Sequence, residues 1–227
     1  MNLSLETLKL YARLYLRLFG LRCEQGGEVP LPSGPKIIAP NHPNATDVFF
    51  LPFVLSETPH FLMRSPSFRL PIIGPILRGA GQIEVLPQNG KAAFDRACAL
   101  LEQSQTIVIF PQGKYSRDHA GDKARSGAVR LSLASGAPII PLGIHVPAAN
   151  LADMRTRWNG RFGPGLWQVS GTCFLRFGAA WHPDSENQSN VRALTDKLMN
   201  RIESLVEDAR KESECVSPIS LNPILQA

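Results

Sequence analysis

The chain has 227 residues, 44% of them hydrophobic, which is enough to bury one sizeable core in one domain or at most two. A formal charge of +5 raises nucleic acid as a partner, but no recognition-helix or aromatic-platform motif accompanies the cations, and that class is set aside. Four cysteines (Cys23, Cys98, Cys173 and Cys215) without ligand spacing read as reduced cytosolic thiols, and five histidines are equally scattered, so neither a metal nor another cofactor is expected.

Residues 1–22 read as an amphipathic helix. Leu3, Leu5, Leu8, Leu10, Tyr11, Leu14, Tyr15, Leu18 and Phe19 give it a broad apolar face, while Lys9, Arg13 and Arg17 recur every fourth residue on the other side. Such a helix either lies in a membrane interface, its cations attracted to anionic head groups, or packs on its own domain. The pattern leaves both open. The basic balance, with Arg155, Arg157 and Arg161 beside Trp158, Phe162 and Trp167, favours a membrane surface. No apolar run approaches the ~20 residues that span a bilayer, and the N-terminus lacks a signal peptide's cleavage site. A peripheral position on the cytoplasmic face of the cell membrane is therefore expected.

The main unit is read as 23–212. Within it the apolar run Lys36–Pro40 leads into Asn41-His42-Pro43-Asn44-Ala45-Thr46-Asp47. A histidine with a carboxylate nearby can deprotonate a hydroxyl at neutral pH: imidazole takes the proton, and the carboxylate holds its tautomer. On a regular helix residues five apart diverge by roughly 140° and cannot touch. Pro43, however, pushes His42 out of the α region, so a turn should carry the histidine and a helix should start near Asn44 or Thr46, both good N-cap types. Asp47 then falls in the first helical turn, within reach. An ordinary capped turn with an incidental histidine fits the same residues.

Thr106–Phe110 reads as a buried strand ending in Pro111-Gln112-Gly113-Lys114-Tyr115-Ser116-Arg117. Polar and cationic residues at the C-terminal end of such a strand are where open α/β sheets place ligand sites. Arg125-Ser126-Gly127-Ala128 opens an amphipathic stretch closed by Gly136, followed by a strand over Pro138–Ile144. The segment 150–170, rich in Arg, Gly and Trp, fits a surface loop or a second membrane contact. A strand at Phe174–Gly178 and a helix with Val191, Leu194, Leu198, Ile202, Leu205 and Ala209 on one face should complete the core, with 213–227 a loosely ordered tail.

These motifs, in this order, resemble the glycerolipid acyltransferase family that includes the bacterial 1-acylglycerol-3-phosphate O-acyltransferases. Asn41, His42 and Asp47 match its Asn-His-x4-Asp motif in full. Phe110, Pro111, Gly113 and Ser116 match part of Phe-Pro-Glu-Gly-Thr-Arg-Ser, Arg125-x-Gly127-Ala128 the basic step, and Pro138–Pro141 the following strand. The resemblance implies an α/β fold: a single domain with a central, largely parallel mixed sheet flanked by helices. It also implies acyl transfer from acyl-CoA or acyl carrier protein to the hydroxyl of a lysophospholipid or related lipid. His42 and Asp47 would be catalytic, and Gln112, Gly113, Lys114, Ser116, Arg117 and Arg125 would bind substrate. The chain departs from the family where Gln112 replaces Glu, Lys114-Tyr115 replaces Thr-Arg, and Pro87 stands at the arginine of Gly-x-Ile-x-x-x-Arg. Because the family's Glu and Arg help hold the glycerol phosphate, these departures imply poor use of lysophosphatidate or preference for another hydroxyl-bearing lipid. A lipid hydrolase using the same pair, or a non-catalytic lipid-binding protein, are the alternatives.

Overall fold

A computed structural model describes residues 3–113, 124–158, 161–185 and 190–215, without the side chains of 155–164 and 185. Helix α1 (Leu3–Leu18) leads into β1 (Arg22–Gly27), β2 (Lys36–Pro40), α2 (Asp47–Val54), β3 (Pro59–Arg64), the short α3 (Ser65–Phe68), α4 (Ile73–Gly79) and β4 (Ile83–Val85). Then come α5 (Gly90–Glu102), β5 (Thr106–Val108), α6 (Gly127–Ser135), β6 (Ile139–His145), β7 (Leu151–Trp158), β8 (Arg161–Gln168), β9 (Thr172–Phe177) and α7 (Val191–Cys215).

Seven strands form one sheet in the order β1-β9-β6-β2-β5-β3-β4. Every pairing is parallel except β6 with β9. Residues along the central strands alternate between two cores, as the period of two demands. Ile37, Ile107 and Ile139 face α5, α6 and α7, whereas Ile38, Val108 and Ile140 face α1 and α2. All five residues of β2 are buried, which is why the strand reads as an unbroken apolar run. The sheet is thus the largely parallel mixed sheet that the resemblance implies.

Helix α7 packs directly on β6. A Cβ built at Gly143 would stand 2.3 Å from the carbonyl carbon of Leu205, so the helix backbone lies where a side chain would otherwise be. Leu194, Leu198, Ile202 and Ala209 bury the predicted face. The helix runs on through Cys215, past Ser213, where the sequence suggested a loose tail; residues 216–227 lie outside the described ones.

Three local expectations change. β5 is shorter than Thr106–Phe110, although Ile109 N–H still bonds the Ile38 carbonyl at 3.0 Å. Segment 150–170 is neither left as a loop nor part of the main sheet: β7 and β8 pair antiparallel as a separate ribbon, from Leu151 opposite Gln168 to Trp158 opposite Arg161. Helix α1 packs on its own domain through part of its apolar face. Ala12 and Leu16 are buried against the domain, while Leu3, Leu10, Tyr11, Leu14 and Leu18 remain 50–80% exposed. Arg13 is not on the outer side with the other cations, since its guanidinium lies 5.6 Å from the ring centroid of Phe53 in α2. No helix among the described residues is long and apolar enough to cross a membrane.

Candidate active site

The site begins where β2 ends, beside the C-terminal ends of β5 and β6. Asn41 is clamped to β6 by two bonds: its Nδ2 donates to the Ile144 carbonyl at 2.9 Å, and Ile144 N–H donates to its Oδ1 at 2.6 Å. The next residue, His42, donates its backbone N–H to Gln112 Oε1 at 2.8 Å. Its ring stacks on Phe110, centroids 4.1 Å apart, and its Nδ1 lies 3.1 Å from Asp47 Oδ2. The turn therefore brings base and carboxylate together as the spacing argument required.

Asn44 secures that contact from behind. Its backbone N–H donates to the same Asp47 Oδ2 at 3.2 Å, and its Oδ1 accepts from Thr46 N–H at 2.8 Å, an Asx turn that shapes the entry to α2. Thr46 occupies the N-cap position, but its side chain makes no cap bond; Oγ1 accepts from Gln168 N–H at 3.0 Å instead. The capping expectation is right about the place and wrong about the bond, because a long-range tie to β8 took the hydroxyl. Ala45 N–H is likewise bonded to the Leu166 carbonyl at 2.9 Å.

Asp47 is wholly buried, and its carboxyl pKa is pushed up by desolvation, opposed by the bonds from His42 and Asn44. With Asp47 Oδ2 on Nδ1, the ring nitrogen that could accept a proton from a substrate is Nε2. No group of three or more His, Cys, Asp or Glu residues among the described residues is placed to hold a metal ion.

On the acceptor side, Gln112 and Gly113 stand beside His42, while Lys114, Ser116 and Arg117 lie outside the described residues. Gln112 is buried, and its amide oxygen accepts the His42 backbone N–H. Gly113 has φ +68°, a turn conformation that favours glycine, and the Arg125 guanidinium lies over it, its Nε 3.0 Å from where a Cβ would stand. Gly113 N–H is bonded to the Phe110 carbonyl, and Arg125 N–H to the Pro111 carbonyl, which holds the exposed Arg125 beside the strand end. Pro87 follows β4, the far edge strand, separated from β2 by β5 and β3. Sequence reasoning passed over Arg64, an exposed guanidinium ending β3 beside β5, and Tyr15, Leu166 and Gln168, whose bonds reach the turn from far along the chain. Only the position of Arg64 at a strand end could have drawn attention to it.

A family model described as Acyltransferase matches residues 22–145, more than half of the chain. The chain belongs to the acyltransferase family. Relatives of the chain include the chloroplastic 1-acyl-sn-glycerol-3-phosphate acyltransferase BAT2 of Brassica napus, 24% identical over 59% of the chain and 40% of that protein. The corresponding LPAT1 of Arabidopsis thaliana is 23% identical over 50% of the chain and 33% of that protein. The chain thus spans well under half the length of these relatives. The crystal structure of PlsC, the 1-acyl-sn-glycerophosphate acyltransferase of Thermotoga maritima, shares the fold: TM-score 0.66, 17% identity, covering 91% of this chain and 79% of that chain.

Proposed function

We propose that the protein transfers a fatty acyl group from a thioester, acyl-CoA or acyl carrier protein, to the hydroxyl of a lysophospholipid held at a membrane surface. The observation that carries this reading is the 3.1 Å pairing of His42 Nδ1 with a wholly buried Asp47, inside the family-matched span. His42 Nε2 removes the acceptor's hydroxyl proton as its oxygen attacks the thioester carbonyl. The C–O bond forms, the C–S bond breaks, and the imidazolium returns the proton to the departing thiolate. Direct transfer suits the residues present, since Cys23 and Cys173 are buried and no motif sets a serine nucleophile beside His42.

Among the described residues Arg125, lying over Gly113 at the strand end, is the cation best situated for the acceptor's phosphate, with Arg64 one strand further along. The exposed Leu10, Leu14 and Leu18 on α1, with Lys9 and Arg17 at their flank, support docking on an anionic lipid surface. A peripheral position on the cytoplasmic face is part of this proposal.

The test is incubation of the purified protein with labelled acyl-CoA or acyl carrier protein and a panel of lysolipids that includes lysophosphatidate, with products identified by mass spectrometry. Acceptor-dependent diacyl product is expected, with His42→Ala lowering its rate by ~10²–10⁴-fold. Free fatty acid formed without acceptor dependence would favour the hydrolase, and equal turnover by folded His42→Ala would remove the mechanism.

A further inference from the structure

Tyr15 lies on α1 away from the exposed leucines, its ring packed among Phe19, Phe49 and Trp167 at centroid distances of 4.8, 5.0 and 5.9 Å. Its hydroxyl donates to the Gln168 carbonyl at 3.0 Å, and the N–H of that same residue donates to Thr46 Oγ1 at 3.0 Å. The Gln168 main chain is therefore a bridge, with a phenol of the N-terminal helix on one side and the residue before Asp47 on the other. Gln168 is in turn fixed by its Nε2, which donates to the carbonyls of Ser170 and Gly171 at 3.2 Å each. Both Thr46 and Gln168 are wholly buried, so water cannot replace a lost partner at either.

The bridge acts where alignment matters. Thr46 enters α2, whose first residue, Asp47, holds the His42 ring. A reacting group displaced by about 1 Å loses ~10²-fold in rate, and the Thr46 hydroxyl bonds β8 instead of capping its own helix. We infer that Tyr15, acting through the Gln168 main chain and the Thr46 hydroxyl, is a positioning residue for the His42–Asp47 pair, so that the seating of α1 on the domain sets the alignment of the catalytic turn. The inference rests on the acyl-transfer reading of that pair.

Its test compares Tyr15→Phe, Thr46→Val, Thr46→Ser and the double variant Tyr15→Phe/Thr46→Val, using a short-chain acyl thioester and a lysolipid kept below its aggregation concentration, so that no lipid surface takes part. Tyr15→Phe should lower kcat about fivefold, the size of one hydrogen bond, with both KM values unchanged. Thr46→Ser should keep most of the rate, and the double variant should be no slower than Thr46→Val alone, because both changes cut one bridge. Parent-like kcat for Tyr15→Phe, or losses that multiply in the double variant, would overturn the inference. Deuterium exchange over residues 41–50 is read on the same proteins and does not depend on turnover. Faster exchange in Tyr15→Phe supports the positioning role even if no acceptor is acylated, and exchange equal to the parent's overturns it.

Discussion

The turn from Asn41 to Thr46 and the strand end from Pro111 to Gly113 with Arg125 meet at the same edge of the sheet, yet they are held in different ways. In the turn, Asn41, His42, Asn44, Ala45 and Thr46 each donate a backbone or side-chain hydrogen to a named partner on β6, Gln112, Asp47, β8 or the turn itself. On the recognition side Arg125 is exposed, joined by its backbone to Pro111, with its guanidinium over Gly113. The outer face of α1 resembles the second case, a row of side chains meeting solvent. A change in the turn strands a buried polar group, whereas a change at Arg125 or on the outer face of α1 alters an exposed side chain. On the proposed function chemistry and specificity are then separable within one site, and four variants probe that separation.

Asp47→Asn should have the largest effect, and it should split rate from stability. An amide holds the His42 tautomer poorly and cannot stabilise an imidazolium, so turnover should fall by ~10²-fold or more. Burial raises the Asp47 carboxyl pKa, against His42 and Asn44, with the buried Cys173 thiol nearby; the folded protein therefore disfavours the ionised form. A raised folded pKa contributes stability that is present at low pH and lost as pH rises through it. The amide escapes that loss, so the variant should melt above the parent at pH 7, with the gain shrinking as pH falls toward about 4. A lower melting temperature at pH 7 would mean that the pairing outweighs the desolvation.

Neutralising Lys9 and Arg17 should weaken binding to anionic vesicles by roughly 30-fold, at about 1 kcal/mol per cation near the surface, without changing turnover of a monomeric acceptor. Arg13 is left intact in this variant because it stacks on Phe53. Parent-like sedimentation with the vesicles would show that the outer face of α1 serves something other than lipid.

The smallest effect concerns the two departures from the family motif. Gln112 Oε1 already accepts the His42 N–H, and a carboxylate oxygen would do the same, so Gln112→Glu should leave the ranking of acceptors unchanged. Pro87→Arg adds a guanidinium just after β4 and should raise the kcat/KM for lysophosphatidate relative to neutral lysolipids by a few-fold, up to about tenfold for one charged hydrogen bond. Should Gln112→Glu alone shift the ranking, that side chain reaches the acceptor after all.

Much of this architecture is legible locally. The strands around Ile37, Ile107 and Ile139 announce themselves as apolar runs because a parallel sheet covers both faces, and α7 announces its buried stripe through Leu194, Leu198 and Ile202. The proximity of His42 and Asp47 follows from Pro43. The ribbon of β7 and β8 does not, since Gly163, Pro164 and Gly165 interrupt the alternation that marks a strand. Nor do the roles of Gln112, Thr46 and Tyr15. Each depends on a hydrogen bond to a residue far along the chain, and a hydroxyl or amide carries no local sign of where its partner lies.

The packing of α7 on Gly143 bears on what counts as a unit in this molecule. The family-model match ends at His145, but the last strand within that span is covered by Leu205 and Val206 and flanked by β9, all of which come later in the chain. The matched segment is smaller than the packed one: cut at that boundary, it would lose the helix over Ile139 and the partner strand of Ile144, and with them the anchorage of the clasp that holds Asn41.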